Sequence, residues 1–124
     1  MKVLSVDDSA IIRKIIRGST DVLGLEFLEA SDGKEALELL GQEYQDVGLI
    51  LLDWNMPVMD GFTTLQNLKS DARFQGIPVM MVTTEAERVN VVRAIQAGAK
   101  HYLMKPFASE DLMSKIMECL EGSF

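Results

Sequence analysis

A chain of 124 residues, 48% apolar and 25% charged, suits one compact core and is too short for two, and its composition excludes disorder and low complexity. The 19 acidic and 12 basic side chains leave a formal charge of -7, which repels phosphate backbones and anionic lipid, so no nucleic-acid partner is expected. No apolar run nears the roughly 20 residues of a membrane helix, no signal-peptide pattern opens the chain, and the lone Cys119 has no partner for a disulfide or zinc site; a cytoplasmic protein with no membrane contact is expected.

Residues 3–6 read as a short buried strand that ends in two adjacent carboxylates, Asp7 and Asp8. Ser9 is placed to cap a helix that turns Ile12, Ile15, Ile16 and Leu23 inward and Arg13, Lys14 and Arg17 outward. A second strand over 25–30 and a turn at Ser31-Asp32-Gly33 lead into a helical segment over 34–40. Residues 48–52 form a continuous apolar run, the pattern of a strand buried on both faces, and it breaks at Asp53 into the turn-rich stretch 54–61.

Phe62, Leu65 and Leu68 mark a third helix, with Gly76-Ile77-Pro78 expected to end it. The apolar run 79–82 stops at Thr83-Thr84-Glu85, and a helix from about Glu87 is expected to face Val91, Val92, Ile95 and Ala99 to the core, with Gly98 as its stop. His101 to Met104 is the fifth strand, closed by Lys105-Pro106. The last helix, from about Ser109, places Leu112, Ile116 and Leu120 inward with Met113 and Met117 beside them.

Strands alternating with helices over short connections predict a doubly wound α/β domain with a five-stranded parallel sheet and five helices. Asp7, Asp8, Asp53, Thr83 and Lys105 then share the carboxyl edge of the sheet, where ligands bind in such folds. Carboxylates gathered in one crevice call for a hard divalent cation, with Mg2+ the natural choice and the main-chain carbonyl of Asn55 placed to join them. An Asp carboxylate is also a nucleophile toward phosphorus, and Lys105 and Thr83 supply the cation and hydroxyl that the transferring oxygens need.

The residues Val6-Asp7-Asp8-Ser9, Asp53 with Met56-Pro57-Val58-Met59-Asp60-Gly61, Val82-Thr83, Ala97-Gly98-Ala99, Tyr102 and Lys105-Pro106-Phe107 carry a resemblance. In this order and spacing the chain resembles, over essentially its whole length, the receiver domain of response regulators, and within them the chemotaxis regulators. The resemblance implies a flavodoxin-like fold with strand order 2-1-3-4-5 and a cis Lys105-Pro106 bond. Because the chain stops at Phe124, just after the fifth helix, a single receiver domain over 1–124 with no output domain is expected, acting as a monomer.

It further implies that Asp53 accepts a phosphoryl group from a CheA-like histidine kinase, with Mg2+ held by Asp8, Asp53 and the Asn55 carbonyl and by Asp7 through water. Thr83 would shift toward the phosphoryl group and Tyr102 turn inward behind it, altering the face of the fourth helix, fifth strand and fifth helix. A downstream protein would read that face, the flagellar motor switch being one candidate. Asn55 and Glu85 would tune hydrolysis of the acyl phosphate. Self-phosphorylation and autodephosphorylation would be the only catalysis, so no separate enzyme activity is expected. Thr84 departs from the small residue usual at its position, and its bulk would narrow access to Asp53.

Plainer readings stand beside these. Asp7-Asp8 alone would be helix-start acids; His101 is expected to face solvent; Trp54 is a packing residue at the crevice rim. The methionines are core fillers, with Met104 and Met113 reaching the output face. Asp32-Gly33 and Asp60-Gly61 are turn or capping pairs. An aspartyl-phosphate phosphatase is disfavoured because Asn55 stands where its general acid belongs. A flavin binder is disfavoured because the first strand ends in carboxylates where phosphate wants glycines and hydroxyls. A phosphorelay intermediate that passes the group to another histidine stays open.

Overall fold

The computed structural model describes residues 1–121; Phe124, on which the expectation of a lone domain drew, lies outside them. The elements run β1 (Lys2–Val6), α1 (Ala10–Val22), β2 (Glu26–Ala30), α2 (Gly33–Glu43), β3 (Val47–Leu52), α3 (Gly61–Ser70), β4 (Val79–Thr83), α4 (Arg88–Gln96), β5 (His101–Met104) and α5 (Ser109–Leu120). All strand pairs are parallel and the order is β2-β1-β3-β4-β5, as expected. No helix among the described residues is long and apolar enough to cross a membrane.

Alternate side chains of the central strands feed two cores. Leu4, Val6, Ile50, Leu52 and Met81 pack with Leu40, Leu65, Leu68 and Ala94, under α2, α3 and α4. Val3, Leu49, Leu51, Met80 and Val82 face the other way, onto Ile16 of α1 and Leu112, Ile116 and Leu120 of α5. A strand sandwiched between two helical layers has no polar face, which is why β3 and β4 read as unbroken apolar runs.

Three helices start on side-chain caps: Ser9 Oγ accepts from the Ile12 amide, Asp32 from Glu35 and Asp60 from Thr63. Asp32 and Asp60 are thus the capping residues expected of them. Three expectations on helix faces and ends are corrected. Ile15 is 44% exposed, because one residue from the buried Ile16 is a turn of about 100° away from the core. The helix α3 ends at Ser70 rather than near Gly76, since Asp71 folds its carboxylate onto the Arg73 amide at 2.9 Å and competes with the helix.

On α4 the residue that meets the sheet is Ala94, while Val92 and Ile95 are exposed. A methyl at the contact point lets the short helix lie close to the sheet, and larger residues two positions before and one after it are turned off that line. Gly98 does close this element, with a φ of 113°.

Register delivers the site. Val6 pairs with Leu52, so Asp7 and Asp53 leave adjacent strands at the same level, and the Asp53 amide donates to the Val6 carbonyl at 3.0 Å. Thr83 pairs with Met104, and the Lys105 amide donates to the Thr83 carbonyl at 2.9 Å. After Asp53 the chain turns tightly through Val58, whose φ of 70° is the left-handed region that β-branched residues avoid. It returns so closely at Gly61 that a Cβ there would collide with the Asp53 carbonyl. The Lys105-Pro106 peptide is cis.

Candidate functional site

At the carboxyl edge of β1 and β3, oxygens of Asp7, Asp8 and Asp53 all lie within 4.8 Å of one another. Asp7 and Asp53 are 2% and 5% exposed, whereas Asp8 opens to solvent. Lys105, leaving β5, brings its Nζ to 2.7 Å from Asp7 Oδ2 and 3.3 Å from Asp53 Oδ2. The other oxygens are also held: Asp7 Oδ1 accepts from the Ser9 amide at 2.9 Å, and Asp53 Oδ1 from the Trp54 amide at 2.8 Å.

The electrostatics show a shortage of positive charge. Burial pushes the Asp7 carboxyl above the ordinary range; the bonds from Lys105 and Ser9 oppose this without reversing it, and the charge of Asp53 adds to it. Burial pulls Lys105 down, but its bond to Asp7 and the charges of Asp53 and Asp7 outweigh that, so it holds its proton more tightly than usual. One ammonium therefore serves more carboxylate charge than it neutralises. An all-oxygen donor set with excess negative charge, part buried and part open, fits a hard divalent cation such as Mg2+.

Thr83 is fully buried at the end of β4, and its Oγ1 accepts from the Glu85 amide at 3.2 Å. Thr84 is exposed beside it, and Asn55 is exposed two residues past Asp53. Tyr102 on β5 is half-buried, its hydroxyl donating to the Glu85 carbonyl at 2.6 Å. Burial first, then the charges of Glu85 and Asp53, push its phenol up to about 12. The Glu85 carboxylate points at the start of α4, accepting from the Glu87 amide at 3.0 Å and from Asn90 Nδ2 at 3.2 Å.

Asp7, Asp8, Asp53, Thr83 and Lys105 share the carboxyl edge of the sheet, as their positions at the ends of the apolar runs predict. Trp54 is a rim residue as read, stacked on Phe62 with ring centroids 5.3 Å apart. His101 is corrected: it is half-buried, with Nε2 3.5 Å from Glu118 of α5, a contact set by where α5 lands on the sheet. Met104 and Met113 are both half-buried.

Residues missed from the sequence include Arg13, which donates to the Asp7 carbonyl at 2.6 Å and to Glu29 of β2 at 2.7 Å. Its place one turn after the Ser9 cap was the available signal. Asn90, Arg93 and Phe62 gave no signal, because their contacts depend on how α3 and α4 sit together.

A 2-1-3-4-5 parallel domain with acids and a lysine at its carboxyl edge, in place of a glycine-rich phosphate loop, defines a flavodoxin-like protein with an acidic crevice at the strand ends. The comparisons carry this to a family: residues 3–117 match the response regulator receiver domain, and the chain belongs to that family. It is 42% identical over 117 residues to the chemotaxis protein CheY1 of Helicobacter pylori, 94% of each chain being covered. A CheY homolog of Campylobacter jejuni is 38% identical over 121 residues, 97% of this chain and 92% of that one.

Among solved structures, Vibrio cholerae CheY4 superposes with a TM-score of 0.88 at 34% identity, covering 96% of this chain and 98% of the other. The CheX-CheY-BeF3-Mg+2 complex of Borrelia burgdorferi gives a TM-score of 0.90 at 28% identity, covering 95% and 87%.

Proposed function

We propose that this receiver domain is a phosphorylation switch of a two-component system that takes a phosphoryl group on Asp53 from the phosphohistidine of a CheA-like histidine kinase. The observation that carries the reading is the pairing of two buried carboxylates, Asp7 and Asp53, with one shared ammonium at an open strand edge. An Asp53 carboxylate oxygen attacks phosphorus, the phosphorus–nitrogen bond breaks, and the imidazole leaves with the electron pair. Lys105 lies beside the carboxylate and would follow the charge onto the phosphoryl oxygens, and Thr83 would supply a hydroxyl to one of them.

Asp8, Asp53 and the Asn55 carbonyl would hold Mg2+, with Asp7 acting through water. When bound, the ion would offset the clustered acids and the charge growing on the phosphoryl oxygens. Asn55 and Glu85 would set how fast the acyl phosphate is lost. The output would leave through the face of α4, β5 and α5, switched by Thr83 and Tyr102, toward a protein partner. Its relatives' names favour chemotaxis, with the flagellar motor switch as one candidate target, and a cytoplasmic setting. A relay role, passing the group to a second histidine, is the alternative.

The test is incubation with Mg2+ and acetyl phosphate or a phosphorylated kinase. A base-labile label that Asp53→Asn abolishes is expected. Label that survives this substitution would overturn the assignment.

A further inference from the structure

We propose that Asn90 and Arg93 of α4 are positioning residues that clamp the Glu85 carboxylate against the start of α4 and away from the Asp53 crevice, thereby lengthening the life of the acyl phosphate. This rests on the reading of Asp53 as phosphoacceptor. Glu85 follows β4 by two residues and is exposed enough to swing, yet its Oε1 is held twice, by the Glu87 amide and by Asn90 Nδ2.

The direction of the Asn90 amide is itself fixed. Arg93 Nη1 donates to Asn90 Oδ1 at 3.2 Å, and a guanidinium has only donors, so it can take only the oxygen end of the amide. The nitrogen end is thereby turned to Glu85, which as a carboxylate has only acceptors. Reversing the amide would place donor against donor and acceptor against acceptor.

Arg93 is anchored in turn. Its guanidinium lies 4.3 Å from the centroid of the Phe62 ring, and Phe62 stacks on Trp54 at 5.3 Å with the planes 27° apart. Trp54 is the residue whose amide holds Asp53. The clamp on Glu85 is thus built from the rim of the same crevice, through α3 and α4. Glu85 is anchored by its main chain too, through Thr83 and Tyr102, so only its side chain is free to respond when the clamp is cut.

A freed Glu85 carboxylate would accept a proton from water as the water oxygen attacks phosphorus and the bond to the Asp53 oxygen breaks. The products are inorganic phosphate, the Asp53 carboxylate and a protonated Glu85, which then returns its proton to solvent. Cutting the clamp should therefore shorten the life of the label.

The experiment labels the full chain with acetyl phosphate and Mg2+, removes the donor, and follows loss of label in the parent, Asn90→Ala and Arg93→Ala, each with Glu85 and with Glu85→Gln. With Glu85 present, both variants should lose label roughly three- to ten-fold faster, a fraction of what general-base assistance reaches. The gain should vanish with Glu85→Gln. Arg93→Lys, which keeps a cation over Phe62, should lie between. Equal acceleration with and without Glu85, or no change in either variant, would overturn the clamp while leaving Asp53 assigned. A parent that takes no label at Asp53 would instead overturn the reading on which the clamp depends.

Discussion

Lys105 Nζ sits 2.7 Å from the carboxylate of Asp7, a residue 98 positions earlier in the chain, and the same ammonium reaches Asp53 at 3.3 Å. Removing it leaves two buried acids facing each other. A broken buried pair costs about 3–5 kcal/mol, and the opening at Asp8 reduces this, so Lys105→Met should destabilise the Mg2+-free protein by about 2–3 kcal/mol. Urea unfolding reads it. Mg2+ should recover part of the loss, because an ion that binds only the native state stabilises it by mass action. An unchanged midpoint in Mg2+-free buffer would mean that the ammonium does not hold the acids together.

Asp7 predicts an unusual pH response. Its carboxyl lies above the ordinary 3.8 in the native protein, so between 3.8 and the raised value the native state binds more protons than the unfolded chain. Stability from this residue is therefore fully present below 3.8 and is lost as pH rises through the native value. Asp7→Asn cannot ionise and escapes that loss. Relative to the parent, and without Mg2+, its stability should improve as pH is raised from 3 toward neutrality. A gap between the two that does not change with pH would show that Asp7 is not strained by its charge.

The edge of the sheet was legible because the strand runs are apolar without interruption and each stops at a polar residue. Buried parallel strands write their ends plainly into a sequence. Helix faces were less legible. On α1 and α4, isoleucines and valines at helical spacing stand outside the core, so Ile15, Val92 and Ile95 misled where the small Ala94 makes the contact. The surroundings of Glu85 could not be read at all. They join residues on β4, α3 and α4 whose approach is set by packing, and no spacing along the chain encodes that.

Tyr102 gives a spectroscopic prediction. Its phenol is pushed up to about 12 by burial and by the charges of Glu85 and Asp53, while its hydroxyl is held on the Glu85 carbonyl. The difference in phenolate absorbance between the parent and Tyr102→Phe should therefore rise near 12 and not near 10. The stability that goes with it is present below 10 and lost as pH climbs through 12. A difference curve centred at 10 would mean that the ring lies out in solvent.

Two glycines should respond in opposite ways to the same methyl group. At Gly61 a Cβ would run into the carbonyl oxygen of Asp53 and the backbone of Trp54, atoms that have no rotamer with which to yield. The loop after Asp53 is already strained at Val58, so it has little slack to absorb a shift. Gly61→Ala should cost about 3 kcal/mol or more and should displace the main chain of Asp53, weakening Mg2+ binding as read from Trp54 fluorescence. At Gly18, inside α1, nothing lies within 4 Å of the added carbon. There alanine removes unfolded-state freedom and should stabilise by about 0.5–1 kcal/mol, leaving the metal titration unchanged. Equal effects at both positions would show that Gly61 is kept for ordinary helix reasons. A loss at Gly61 that moves both stability and Mg2+ affinity would place the restraint on Asp53 itself, since a methyl that clashed only with distant helix packing would change stability and spare the ion.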